Sequence, residues 1–167
     1  FIESEDKLTE LLKTKTSFYD RPETLTILIG AVDNNKSRQM CHKVFNRSEN
    51  LVYIDCGNGE FTGQVVCGVR RKGKTYYKPV GELYPDILED TDKFPTELSC
   101  AEASVSTPQS IAANIMAATA VIAYIYNILV LGNIEVKKVT FSTKSLNLKP
   151  VLSSKRKMSK EKKKYAA

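Results

Sequence analysis

One segment, Leu25-Thr26-Ile27-Leu28-Ile29-Gly30-Ala31-Val32, constrains this chain more than any other. It is an almost unbroken apolar run, rich in β-branched side chains. A strand with one wet face alternates apolar and polar residues. A run like this instead suits a strand buried on both faces, as in a parallel sheet. It stops at Asp33-Asn34-Asn35, and Lys36 to Phe45 then reads as a helix. A strand, a polar turn and a helix put Asp33 at the carboxyl end of the strand. Ligands bind on that side of an open α/β sheet. Asp is also a preferred helix cap, so Asp33 has a structural reading beside the ligand one.

The neighbouring segments fit the same class. Glu3 to Lys13 places Leu8, Leu11 and Leu12 at helical spacing behind an acidic start, and Lys13 to Thr24, with Pro22, reads as a loop. Leu51 to Cys56 is a second buried strand, Gly57-Asn58-Gly59 a turn, and Gly63 to Val69 a third strand. Arg70 to Lys74 forms a basic turn into Thr75-Tyr76-Tyr77. Pro79 to Pro108 holds Pro85 and Pro95 as well, shows no period, and reads as one long loop, a kind that is usually functional. Glu135 to Phe141 and Ser145 to Val151 alternate, which predicts a hairpin of half-buried strands.

Ile111 to Leu131 is a stretch of 21 residues without a charge. That length fits a membrane span. Asn114, Asn127 and six alanines interrupt it, and the flanking elements read as an α/β domain. The expectation is a helix buried on most sides in a cytoplasmic protein, with no membrane contact.

The chain has 167 residues and a net charge of +6. Residues 153–167 hold seven Lys or Arg against Glu161 alone, which accounts for all of that excess. The expected organisation is therefore a neutral domain over residues 1–152 and a basic, disordered tail over 153–167, with no specific nucleic-acid surface. The cysteines stand at 41, 56, 67 and 100 with no CxxC pair, so no zinc site is expected and reduced thiols are. His42 is the only histidine, which leaves little material for a His-based triad. The chain opens at Phe1 rather than Met, as a fragment or a processed product would.

Three motifs in order resemble one superfamily. Leu28-Ile29-Gly30-Ala31-Val32-Asp33-Asn34-Asn35-Lys36-Ser37-Arg38 looks like the strand-Asp-Asn-x-x-x-Arg element of E1-like proteins. Asp55-Cys56-Gly57-Asn58-Gly59, followed by Gly63-Gln64-Val65, is similar to that superfamily's strand-turn and its Gly-Gln-Val strand. Ser99-Cys100-Ala101-Glu102-Ala103, ahead of an Ala-rich helix, resembles a segment of bacterial ThiF-type enzymes, including the ThiF-family proteins of PRTRC plasmid gene clusters. The likeness covers roughly residues 20–150.

The resemblance implies the C-terminal part of a Rossmann-like E1/ThiF fold, a mixed sheet with flanking helices. It implies an ATP-dependent adenylyltransferase that activates the C-terminal carboxylate of a ubiquitin-like or sulfur-carrier protein. Asp33, Asn34 and Arg38 would then be cofactor-binding, with Asp33 near Mg²⁺ through ATP and Arg38 a partner for phosphate or for Asp33. Cys100 would be the candidate catalytic thiol, able to take a thioester or persulfide. Asp55 and Gly57-Asn58-Gly59 would border the groove for the carrier's tail, and the Pro79–Pro108 loop would cover it.

The chain also departs from the family. The Gly-x-Gly-Gly-x-Gly turn that cradles nucleotide phosphates is absent, as are the family's two zinc-holding CxxC pairs. The 167 residues alone are therefore expected to be inactive. A homodimer, or pairing with the missing nucleotide-binding half, is expected to cover the exposed sheet edge. The alternative is a non-catalytic E1-like interaction module. Each candidate also has a bland reading: Cys100 as a small buried residue where loop meets helix, Asp55 with Gly57-Asn58-Gly59 as a strand end and a turn, Cys56 and Cys67 as core, Cys41 and His42 as core or surface, Arg70–Lys74 and the tail as solvated charge.

Overall fold

The computed structural model describes residues 2–13, 25–94, 97 and 110–153. In chain order the elements are α1 (Glu5–Lys13), β1 (Ile27–Gly30), α2 (Asn35–Arg47), β2 (Leu51–Asn58), β3 (Thr62–Arg71), β4 (Lys74–Tyr77), α3 (Val80–Leu83), α4 (Asp86–Glu89), α5 (Ile111–Leu129), β5 (Val136–Ser142) and β6 (Asn147–Leu152). The class is α/β. A six-stranded mixed sheet runs β1-β2-β3-β5-β6, with β4 paired to β3 off that path. Only β1 and β2 are parallel; the other pairs are antiparallel.

Alternation along β2 and β3 sorts the core into two layers. Val52, Ile54, Val65, Cys67 and Val69 face α5, while Leu51, Tyr53 and Val66 face α1, α2 and Val80 of α3. The β1–α2–β2 crossover sets the second of these layers because α2 must return over the sheet to bring β2 beside β1. Phe45 of α2 and Tyr53 of β2 pack with ring centroids 6.3 Å apart. The turn between β3 and β4 uses Lys72 and Gly73, both at positive φ, the backbone a two-residue hairpin favours.

Several elements differ from the sequence reading. The apolar run around β1 reads as a strand buried on both faces, yet β1 spans only Ile27–Gly30 and leaves Ile29 44% exposed at the sheet edge. β2 runs on through Gly57 and Asn58, so the turn comes later. The described front of the Pro79–Pro108 segment is not one loop: α3 and α4 each follow a proline, Pro79 and Pro85, whose fixed φ suits a helix start. The uncharged helix α5 is not buried on most sides. Ala113, Ala117, Ala120, Val121, Tyr124 and Ile128 face the sheet, while Ile111, Ile115, Ile122, Tyr126 and Leu129 face outward. The small side chains let the helix lie close to the strands, and one covering layer buries only one face. By length and composition α5 could also cross a membrane; here it packs on β2, β3 and β5. Residues 154–167, most of the basic tail, lie outside the described residues.

Candidate functional site

The parallel β1–β2 pair is in register from Ile27↔Val52 to Gly30↔Asp55, so both strands end side by side. Just beyond their carboxyl ends lies a cavity of about 970 Å³. Ile29, Val32 and Cys56 line its sheet side, Ala117, Ala118 and Val121 its α5 side, and Gly57, Asn58 and Gly59 one end. Tyr84, Asp86, Ile87 and Asp90 form the opposite wall. The position is the ligand crevice expected of an open α/β sheet.

Asp33 lines this cavity and is exposed. Its Oδ1 takes a long hydrogen bond, 3.4 Å, from Asn34 Nδ2. Asn34, rather than Asp33, caps α2: its Oδ1 accepts from the Ser37 N–H at 2.8 Å. The capping reading of Asp33 is corrected accordingly. With the cap made next door, the Asp33 carboxylate faces the cavity rim.

Arg38 pairs with Asp55 and not with Asp33. Its Nε lies 3.2 Å from Asp55 Oδ1, and Nη1 donates to Asn35 Oδ1 at 3.1 Å. Nη2 donates to the backbone carbonyls of Val32 and Cys56. Asp55 is buried beneath the cavity instead of bordering it, and its Oδ2 accepts from Tyr53 Oη at 2.7 Å. The guanidinium thus ties the end of β1, the start of α2 and the end of β2 into one block. Its planar fork suits that many acceptors better than an ammonium would.

Burial shapes the ionisation of this block. It pushes the Asp55 carboxyl above its ordinary value, while Arg38 and Tyr53 pull it back. It pushes the Tyr53 phenol far up, helped by the Asp55 charge. The Cys41 thiol beneath is raised to about 11 by burial and by Asp55, and Cys67 to about 12 by burial. Cys56 lies on the cavity wall, with its thiol donating toward Gly30 O at 3.6 Å, and burial raises it too. None of these three is an activated thiolate. Cys100, the candidate reactive thiol, lies outside the described residues, as does the Ser99–Ala103 motif.

The wall opposite α5 is held by polar latches. The Asn35 N–H donates to Asp92 Oδ2 at 2.8 Å and its Nδ2 to Asp90 Oδ2 at 2.7 Å. Gln39 Nε2 donates to the carbonyls of Ile87 and Asp90. Sequence reasoning missed both these latches and the Tyr53–Asp55–Arg38 block. The spacing of Arg38 after Asp33 was visible, but its partner is set by register. On the α5 side, Asn58 Nδ2 donates to Asn114 Oδ1 at 2.7 Å, which gives one of the two amides in the uncharged helix a role.

Among the described residues no three ligating side chains converge to hold a metal ion. Asp33 offers a single carboxylate, which would suit a Mg²⁺ held chiefly by other oxygen ligands better than a dedicated protein cage. No family model matches the chain, and no curated protein matches it.

Proposed function

We propose that this chain is part of an E1-like, ThiF-type adenylyltransferase with a Rossmann-like fold, acting on the C-terminal carboxylate of a ubiquitin-like or sulfur-carrier protein. The observation that carries this reading is Asp33 at the rim of a cavity outside the carboxyl ends of a parallel strand pair. In the reaction, a carboxylate oxygen of the carrier attacks the α-phosphorus of ATP. The bond from that phosphorus to the bridging oxygen breaks, pyrophosphate leaves, and an acyl-adenylate forms.

The chain's own residues divide the work. Mg²⁺, when bound with ATP, would offset charge on the phosphates. Asp33 would orient that cation and the phosphates beside the carrier's tail. Gly57, Gly59, Ala117 and Ala118 leave room for an extended tail of small residues. Arg38, with its donors turned to Asp55, Asn35, Val32 and Cys56, acts as a positioning residue. It fixes the strand ends on which Asp33 stands. The phosphate-cradling residues have to come from polypeptide other than these 167 residues, which hold no Gly-x-Gly-Gly-x-Gly turn.

The test is carrier-dependent ATP–pyrophosphate exchange by the polypeptide as the cell makes it. Exchange that needs both the carrier and its terminal carboxylate supports the reading; none at any carrier concentration sinks it. The non-catalytic interaction module is the second reading, favoured by the engagement of Arg38 within the fold and by the apolar outer face of α5. Carrier binding without exchange would select it.

A further inference from the structure

Charge is divided along this chain. From Val136 to Ala167 there are eleven Lys or Arg against Glu161 alone, while the residues before Val136 hold an acidic excess. Four of the eleven, Lys137, Lys138, Lys144 and Lys149, belong to the β5–β6 hairpin, which has no acid of its own. The other seven lie between Lys155 and Lys164, just after β6 in sequence.

The hairpin tip sets an apolar group beside that charge. Thr143 to Leu146 join the Ser142↔Asn147 pair. The tip is pinned to the fold: the Thr143 N–H and Oγ1 both donate to Phe61 O, at 2.8 and 3.1 Å, and Lys144 Nζ stands 4.1 Å from the centre of the Phe61 ring. Leu146 ends the turn at φ 48°, in the left-handed region that favours Gly or Asn. Packing does not offset that cost, because Leu146 is 85% exposed. The strand that follows repeats the pattern. Leu148 and Leu152 pair with Phe141 and Val136, which puts them on the α5 side of the sheet. They are 48% and 60% exposed there.

We propose that the β5–β6 hairpin and the basic residues after it dock on an anionic lipid bilayer. Leu146 enters the boundary of the acyl chains, and the exposed Lys144 and Lys149 meet the headgroups. Residues 155–164 add attraction to the negative surface. A small apolar insertion alone or a basic segment alone binds weakly, and the two together hold. Nucleic acid fits this surface less well. Ten of the eleven cations are Lys, which lack the planar fork of Arg, and a leucine tip gives a base nothing to stack on. The helix α5 takes no part, since it packs on β2, β3 and β5. This inference does not depend on the adenylation chemistry.

The test is flotation of the full chain with phosphatidylcholine vesicles, with and without about a third phosphatidylserine, at ~0.1 M salt. The expected result is binding to the anionic vesicles alone, weakening as salt rises. Lys162→Gln, Lys163→Gln and Lys164→Gln together are expected to weaken it by about 10²-fold. Leu146→Asn suits the left-handed backbone, so it is expected to keep or raise the urea midpoint while weakening binding by about tenfold. The chain has no Trp, so Leu146→Trp places a single reporter at the tip. Its emission is expected to shift to the blue on anionic vesicles. Absence of binding to anionic vesicles overturns the proposal. So does binding that Leu146→Asn leaves unchanged, an unshifted Trp emission in the bound state, or tighter binding to duplex DNA than to the vesicles at equal salt.

Discussion

Arg38 Nε and Asp55 Oδ1 lie 3.2 Å apart, one on α2 and one on β2, with the Asp55 side chain 1% exposed. Removing one member of a buried pair leaves the other charge without compensation. Asp55→Ala is therefore expected to destabilise the fold by about 3–5 kcal/mol. Tyr53→Phe, which removes only the hydroxyl donor to Asp55, is expected to destabilise by about 1–2 kcal/mol. Because the two share one carboxylate, the double variant should fall short of the sum by about 0.5–3 kcal/mol. Urea unfolding of the four proteins measures this; strict additivity would mean the block is not coupled.

Gly30 stands where β1 passes closest to this block. A Cβ there would lie 2.8 Å from Asp55 Oδ2 and 3.0 Å from the Tyr53 ring. Gly30→Ala is expected to destabilise by about 1–3 kcal/mol through overpacking. At Gly59 nothing lies within 4 Å of such a Cβ, so Gly59→Ala is expected to stay within about 0.5 kcal/mol of wild type. The shift in urea midpoint compares the two directly, and equal effects would contradict the packing at Gly30.

How the sequence relates to this site differs residue by residue. The strand-turn-helix around Asp33 was legible because its signals are local: an apolar run, a polar turn, a helical period. The apolar run does not itself mark an edge, because it looks the same whether or not a neighbour covers it; only the family resemblance implied an exposed sheet edge. Asp55 was visible as a strand-end acid, but its pairing with Arg38 depends on the Gly30↔Asp55 register. No local pattern carries that information. The orientation of α5 was hidden by its uniform apolarity. Only the sorting of Ala113, Ala117 and Ala120 inward against Ile115 and Ile122 outward fixes it.

His42 gives the fold a pH dependence below neutrality. Its Nδ1 is buried without a hydrogen-bond partner, under Gly81 of α3, while Nε2 pairs with Asn46. Burial lowers its pKa from the ordinary 6.5, and nearby Glu82 opposes this. The neutral ring suits the folded state, so its contribution is full above pH 6.5 and is lost as pH falls below that value. His42→Gln should remove this slope. Urea midpoints taken from about pH 5 to about pH 7.5 on both proteins check it, and parallel curves would refute it.

Asp33 separates function from stability. It is exposed, and Asn34 makes the helix cap, so Asp33→Asn is expected to change stability by no more than about 0.5 kcal/mol. The most direct measurement is carrier-dependent ATP–pyrophosphate exchange by the polypeptide as the cell makes it, wild type against Asp33→Asn, with matched urea midpoints. The expected result is exchange in the wild type and a loss of about 10²-fold or more in the variant. Exchange at the wild-type rate in Asp33→Asn would contradict the assignment of this cavity as the reaction site.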